Sequence, residues 1–467
     1  MNDIRLPAGY IEQMRRMLGE SEAERFFASY GEPRTYGLRL NPLKIGPHDT
    51  GLFAVLQEQF GLEPVPWCKD GYYYRESSRP GTHPWHAAGL YYIQEPSAMS
   101  AAELLDARPG ETILDLAAAP GGKTTQIAGR MQGQGLLVAN EIHPARAKIL
   151  SENIERMGIR NAVVVSASPD RLAARFPAFF DRIMLDAPCS GEGMFRKDPD
   201  AVREWSESQV AFCAERQSGI LDDAAVMLRP GGTLVYSTCT FNRAENEDTI
   251  EAFLTRHPSF TLERTERIWP HRARGEGHFV AVLRRAADGG EDAAAAPAPR
   301  RPSGRAGASG RRGRDSRGGG DHAAALALLR AFAAEALPGL TLGPGEPLRF
   351  GDALYWLPHD AGSRFGAGDL DGLKVARPGL HLGDVRKGRF EPAHALALAV
   401  AADAAAWVQT YPPEAPEIAA YLRGETLPAP DGIRGWGLVA AGGLPLGWGK
   451  ASGGQIKNHL PKGLRRP

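Results

Sequence analysis

At 467 residues the chain is long enough for two or three domains, each with its own core. Its 43% hydrophobic and 24% charged residues are those of a soluble globular protein. No apolar run approaches the roughly eighteen residues of a membrane span, and Met1-Asn2-Asp3-Ile4-Arg5 lacks the basic-then-apolar layout of a signal peptide. The 55 basic and 55 acidic residues cancel, so the total gives no hint of a nucleic-acid partner and charge has to be read locally. Four cysteines (Cys68, Cys189, Cys213, Cys239) with no CxxC pair exclude a disulfide framework and leave no metal site to expect. Free thiols fit a reducing, cytoplasmic setting.

Residues 1–90 mix aromatics and prolines with short periodic stretches and read as a small α+β module. Over 91–285 the pattern alternates between strand and helix. Apolar runs at 112–116, 135–139, 162–165, 182–185 and 233–236 predict buried strands, and helical spacing predicts helices over 144–158 and 208–228. Continuous apolar strands alternating with helices predict a mostly parallel sheet covered on both faces, an α/β fold. Residues 286–321 are rich in Ala, Gly, Pro, Ser and Arg, too poor in apolar groups for a core, and read as a linker. Arg300, Arg301, Arg305, Arg311, Arg312, Arg314 and Arg317 make it basic, either a solvated spacer or a weak phosphate tether. Residues 322–467 form a further globular region, opening on an Ala/Leu-rich helix over 322–336 and turning glycine-rich and β-like.

The strand over 112–116 runs into Ala117-Ala118-Ala119-Pro120-Gly121-Gly122-Lys123-Thr124. Ligands of open α/β sheets bind at such strand ends, where small residues admit a ligand onto the backbone. Gly122-Lys123-Thr124 also matches the end of a phosphate-binding P-loop, but Ala117 stands where that motif needs glycine. Ile183-Met184-Leu185-Asp186 resembles the strand that accompanies such loops, so the loop alone leaves a nucleotide hydrolase equally open. Glu141, at the end of the next strand, is placed to hold two ribose hydroxyls and favours an adenosyl ligand.

Asp186-Ala187-Pro188-Cys189 follows the fourth strand and Ser237-Thr238-Cys239 the fifth, so both cysteines sit at strand ends on the ligand side. Cys68 and Cys213 read as small buried hydrophobes. A nucleophilic thiol beside an acid suits covalent addition to an electron-poor ring. Addition at cytosine carbon 6 activates carbon 5 toward a methyl sulfonium, and a carboxyl near ring nitrogen 3 stabilises the adduct. Two cysteines with Asp186 match that demand, and the base must leave its stack to reach them.

These segments, with Asp115-Leu116 ahead of the loop and Ser190-Gly191-Glu192-Gly193 after Cys189, closely resemble the Sun family of RNA cytosine-5 methyltransferases. Arg39-Leu40-Asn41-Pro42 and Gln94-Glu95-Pro96-Ser97 resemble that family's N-terminal elements. Pro445-Leu446-Gly447-Trp448-Gly449-Lys450 through Asn458-His459-Leu460-Pro461-Lys462-Gly463 resembles the PUA-like C-terminal region of its RsmF-type bacterial branch. The resemblance covers nearly all of the chain outside 286–321. It implies a Rossmann-like S-adenosylmethionine-dependent methyltransferase, with an N-terminal RNA-binding module and a C-terminal RNA-binding region ending in a PUA-like domain.

It also implies residue roles. Ala117, Ala118, Ala119, Pro120, Gly121, Gly122 and Lys123 would cradle the methionine end of the cofactor, and Glu141 the ribose. Asp186 would lie beside cofactor and base, Cys239 would be the nucleophile, and Cys189 would help release the product. The family's adenine-binding acid is replaced by Ser168, with Asp170 two residues on as the substitute. Arg196 and Lys197 are candidate phosphate contacts. So is the acid-free C-terminal set Lys450, Lys457, Lys462, Arg465 and Arg466, with Trp448 and His459 interleaved. The expected partner is small-subunit (16S) ribosomal RNA, acted on by a monomer. Transfer RNA is the second substrate, and a silent RNA-binding assembly factor the non-enzymatic alternative, which two paired cysteines disfavour.

Overall fold

A computed structural model describes residues 6–287 and 319–466, apart from 47, 361 and 363. The arginines of the expected linker lie outside the described residues. The centre is an eight-stranded sheet in the order Phe260–Ile268, His278–Arg285, Leu228–Thr238, Phe180–Asp186, Thr112–Asp115, Leu136–Asn140, Ala162–Ser166, Lys374–Arg377. The five strands from Leu228–Thr238 to Ala162–Ser166 run parallel.

Alternate residues of these strands feed two cores. Leu114, Val138, Val163, Ile183 and Leu234 face one side, with Leu221 and Ala224 of the helix Glu207–Met227. Ile113, Leu137, Val164, Met184 and Val235 face the other, with Ile127, Leu150 and Ile154. Covering on both faces is why the strands read as unbroken apolar runs. The strand order reverses between Thr112–Asp115 and Phe180–Asp186, which opens the ligand crevice at their carboxyl ends.

The predicted parallel strands and helices are present, with bounds within about three residues except that the strand expected at 233–236 already begins at Leu228. The antiparallel strands Phe260–Ile268 and His278–Arg285 were not anticipated. Nor was Lys374–Arg377, which comes from beyond residue 319 and pairs antiparallel with Ala162–Ser166. The C-terminal region therefore adds a strand to the central sheet.

The N-terminal part is α+β as expected. Helices Ala8–Leu18, Glu20–Ala28 and Thr50–Phe60 accompany a sheet of Glu63–Pro64, Gly71–Tyr73, Gly37–Leu40 and Tyr91–Ile93. Arg39, 1% exposed, donates from Nη2 to the Gly122 carbonyl at 2.9 Å and to Thr125 Oγ1 at 2.8 Å, which clamps the start of the helix Gly122–Met131. Asn41 Nδ2 donates to the Gly89 and Met157 carbonyls.

Beyond residue 319 there are two further sheets. One is Gly345–Phe350, Ala353–Pro358, Leu380–Arg386 and Arg389–Pro392. The other is Val408–Tyr411, Gly435–Ala441, Leu444–Ser452, Gln455–Asn458 and Leu427–Pro428. The last sheet shares one core with the N-terminal part: Leu38, Phe60, Trp85 and Tyr91 pack with Ile418, Tyr421, Val439 and Ile456. Trp85 Nε1 donates to the Ala441 carbonyl at 3.2 Å.

Candidate active site

The crevice brings the predicted residues together at neighbouring strand ends. Gly121 caps the helix Gly122–Met131 with a φ of 115°, a conformation open to glycine. A Cβ on Gly122 would stand 3.1 Å from Gln94 Nε2. The loop is pinned from outside: Arg146 Nη2 donates to the Ala119 carbonyl and Asn153 Nδ2 to the Pro120 carbonyl, both at 2.9 Å. The Ala118 N–H donates to the Asn140 carbonyl.

Glu141 is 3% exposed, accepts from the His143 N–H and lies 3.4 Å from Arg146 Nη1. Ser168 is half-buried beyond the end of Ala162–Ser166, whereas Asp170 is exposed. Ser168 hydrogen-bonds Asp170 and pulls its carboxyl down. Of the two, Ser168 is the less exposed.

The Cys189 and Cys239 sulfurs lie 3.4 Å apart and both residues are partly exposed. Their contact, then burial, pushes the Cys189 thiol well above its ordinary value, and either sulfur can donate to the other. Lys123 Nζ is 2.8 Å from Asp186 Oδ2, a contact that the sequence, which read Lys123 only as part of the loop, did not show. Ser237 Oγ donates to Asp186 Oδ1 at 2.8 Å. Burial pushes the Asp186 carboxyl up, but Lys123, His278 and Ser237 outweigh it and hold it below the usual range.

Three further groups carry no sequence signal of their own. Asp115 is fully buried. Thr124 Oγ1 donates to its Oδ2, its Oδ1 has no hydrogen-bond partner among the described residues, and burial raises it to about 7. His278 is 3% exposed, 3.8 Å from Asp186 Oδ1, and burial lowers it to about 4. Glu192 was visible only as part of a motif. It is fully buried and accepts from the N–H groups of Phe241 and Asn242 and from Trp205 Nε1 and Gln13 Nε2. It thereby ties the Cys189 loop to the Cys239 loop. Gly193 lies so close that an added Cβ would meet the Cys239 carbonyl at 2.9 Å. Among the described residues no cluster of three or more His, Cys, Asp or Glu is placed to hold a metal.

Cys68 and Cys213 are buried, as small hydrophobes are. Several expected RNA contacts are instead structural. Arg196 is buried, 2.6 Å from Glu276, and donates to the Ser29 carbonyl. Trp448 is 1% exposed and its Nε1 donates to the Ala393 carbonyl. Arg466 is half-buried and donates to the Thr82 carbonyl, whereas Arg465 donates from Nε to the Leu460 carbonyl but is exposed. Lys197 is half-buried, while Lys450, Lys457, His459 and Lys462 are exposed.

Four family models match in order: the N-terminal domain of 16S rRNA methyltransferase RsmF over 6–96, 16S rRNA methyltransferase RsmB/F over 102–284, the RsmF rRNA methyltransferase first C-terminal domain over 331–400, and the methyltransferase RsmF PUA domain over 408–466. The ribosomal RNA small subunit methyltransferase F of Klebsiella pneumoniae is 35% identical over 497 residues, covering 100% of this chain and 98% of that one. Its counterpart in Shewanella baltica is 32% identical, covering 99% and 97%. A crystal structure of PH0851 is 31% identical with a TM-score of 0.53, covering 60% of this chain and 66% of that one. NSun6 from Pyrococcus horikoshii shares the fold, with a TM-score of 0.54 at 22% identity over 60% and 98%. Matched from end to end at this identity, the chain belongs to the RsmF family of ribosomal RNA small subunit methyltransferases.

Proposed function

We propose that the chain transfers a methyl group from S-adenosylmethionine to carbon 5 of a cytosine in small-subunit ribosomal RNA, through a covalent adduct at Cys239. The observation that carries this reading is two thiols 3.4 Å apart beside the Lys123–Asp186 pair, at the ends of adjacent strands. A nucleotide hydrolase has no use for either thiol, and an RNA-binding assembly factor requires neither.

The crevice fits the cofactor. Asp115 Oδ1, without a partner among the described residues, and the narrow Gly121-Gly122 turn suit its polar methionine end, and Glu141 its ribose. When bound, the cofactor supplies the methyl group as an electrophile. The Cys239 thiolate adds to ring carbon 6, and the displaced electron pair makes carbon 5 nucleophilic. Asp186, ionised beside Lys123, accepts from the exocyclic amine of the base, and the Lys123 ammonium is the proton source for ring nitrogen 3. After transfer a base takes the carbon 5 proton, and the freed electron pair re-forms the ring double bond and expels Cys239 as its thiolate, with Cys189 acting in that release. The enzyme works as a cytoplasmic monomer, and among the described residues no helix is long and apolar enough to cross a membrane.

Bisulfite sequencing of ribosomal and transfer RNA from a deletion strain tests the substrate. One 16S cytosine or more should lose its protection and regain it with the wild-type gene but not with Cys239→Ala. Loss confined to transfer RNA overturns the substrate, and protection restored by Cys239→Ala overturns the nucleophile.

A further inference from the structure

In the last sheet Trp436 stands directly opposite Lys450, and Lys450 directly opposite Lys457, so the three side chains share one face as a cross-strand row. Farther along that face Leu438 and Trp448 are buried in a core that includes Leu329 and Phe332 of the helix Gly319–Ala336. The row lies where this cover ends: Trp436 is half-buried and both lysines are exposed.

Two cations directly opposite one another repel, a poor choice for stability alone. Among the described residues no carboxylate lies within 4.0 Å of either ammonium. Instead Lys450 Nζ sits 5.1 Å from the centre of the Trp436 ring. The exposed His459 packs on the same indole, ring centres 4.3 Å apart. Burial, then Lys450, holds this imidazole below its ordinary value, Lys457 adds to that, and Glu391 is the acid that opposes them. From within, Phe332 and Trp448 meet Trp436 edge-on at 6.4 Å and 6.2 Å and fix its orientation. The result is a rigid aromatic ring with two uncompensated cations beside it, which is the repeat of a nucleotide: one flat base and its phosphates.

We propose that Trp436, Lys450, Lys457 and His459 form a docking surface for a single-stranded segment of the substrate RNA, with a base stacked on the indole and backbone phosphates on the two lysines. This rests on the RNA methyltransferase reading and names where the C-terminal sheet holds the strand. It replaces the buried Trp448 with Trp436 as the aromatic partner.

The test uses the full chain and two fluorescent probes, a mixed-sequence single-stranded RNA and a duplex of the same composition. The lysines are exposed, so the double variant Lys450→Gln/Lys457→Gln keeps the wild-type melting temperature. Its affinity for the single strand should fall roughly tenfold, and the salt slope of the association constant should shrink by about 1.4, at about 0.7 per phosphate contact. Trp436→Leu should weaken single-strand binding roughly tenfold with the salt slope unchanged, and Trp436→Phe should restore most of it. In methyl-transfer assays the double variant should raise KM for RNA and leave kcat at saturation intact. Wild-type affinity and salt slope in the double variant overturn the proposal, as does equal weakening of duplex binding by Trp436→Leu. A wild-type chain that methylates no RNA sinks the enzymatic reading instead, and the binding arms still decide this surface.

Discussion

Asp115 shows how a single residue can make this site sensitive to pH. The folded chain keeps its proton up to about 7, whereas an unburied carboxyl releases it near 3.8. Between those values the folded state binds the extra proton, so stability falls as pH rises through that window, by at most about 1.4 kcal/mol per unit. Asp115→Asn should flatten this part of the curve when urea midpoints are measured from pH 4 to 8. A variant that tracks the wild type across the window removes Asp115 as the cause. Asp186→Asn leaves the Lys123 ammonium without its counter-charge at 2.8 Å. It should lower kcat by at least a hundredfold in a labelled-methyl assay, and near-wild-type turnover would contradict the role given to Asp186. Asp186, Cys189, Cys239 and Glu141 were legible because a residue that follows an apolar strand is delivered to the ligand edge of the sheet. Asp115 and His278 were not, since an acid at a strand end and a histidine in an apolar run show nothing of their surroundings until neighbouring strands are placed beside them.

Between residue and fold, two loops bear Cys189 and Cys239, and Glu192 of the first holds them together by accepting from the Phe241 and Asn242 N–H groups of the second. Removing its charge weakens two backbone contacts at 2.7 and 2.9 Å within a fully buried setting. Glu192→Gln should therefore cost about 1–3 kcal/mol, read as a lower urea midpoint. It should also reduce kcat more than KM, because the spacing of the sulfurs depends on both loops. Unchanged kcat in a folded Glu192→Gln would detach the loops from the chemistry. The five parallel strands were readable because each is covered on both faces. Phe260–Ile268 was not, since its outer position leaves Thr261–Thr265 exposed and the run polar. Lys374–Arg377 is four residues long and gets its partner from some two hundred positions away, and no local pattern encodes such a pairing. Trp448 misled for a related reason. In sequence it sits among lysines, but on a strand it shares a face with Lys450 at a point where the covering core still reaches.

The whole molecule is tied together more tightly than a catalytic domain with appendages would be. The N-terminal and last sheets share one core, Arg377 lies 3.5 Å from Glu155, and Lys374–Arg377 completes the central sheet. A chain ending at residue 285 would expose Trp85, Leu38 and the Ala162–Ser166 edge. It should melt well below the full chain and aggregate, and the full chain should unfold in one transition when tryptophan fluorescence and far-ultraviolet dichroism are compared. A truncated chain as stable as the whole would show the C-terminal sheets to be separable. At this scale the central claim is that the assembled site forms a covalent bond to RNA. The most direct measurement is denaturing electrophoresis of the protein with substrate RNA and cofactor. Cys189→Ala should accumulate a protein–RNA complex that survives denaturation, while Cys239→Ala and the double variant should form none. A trapped complex in Cys239→Ala but not in Cys189→Ala would reverse the two roles. No complex in any variant, even with 5-fluorocytosine at the target, would contradict covalent catalysis itself.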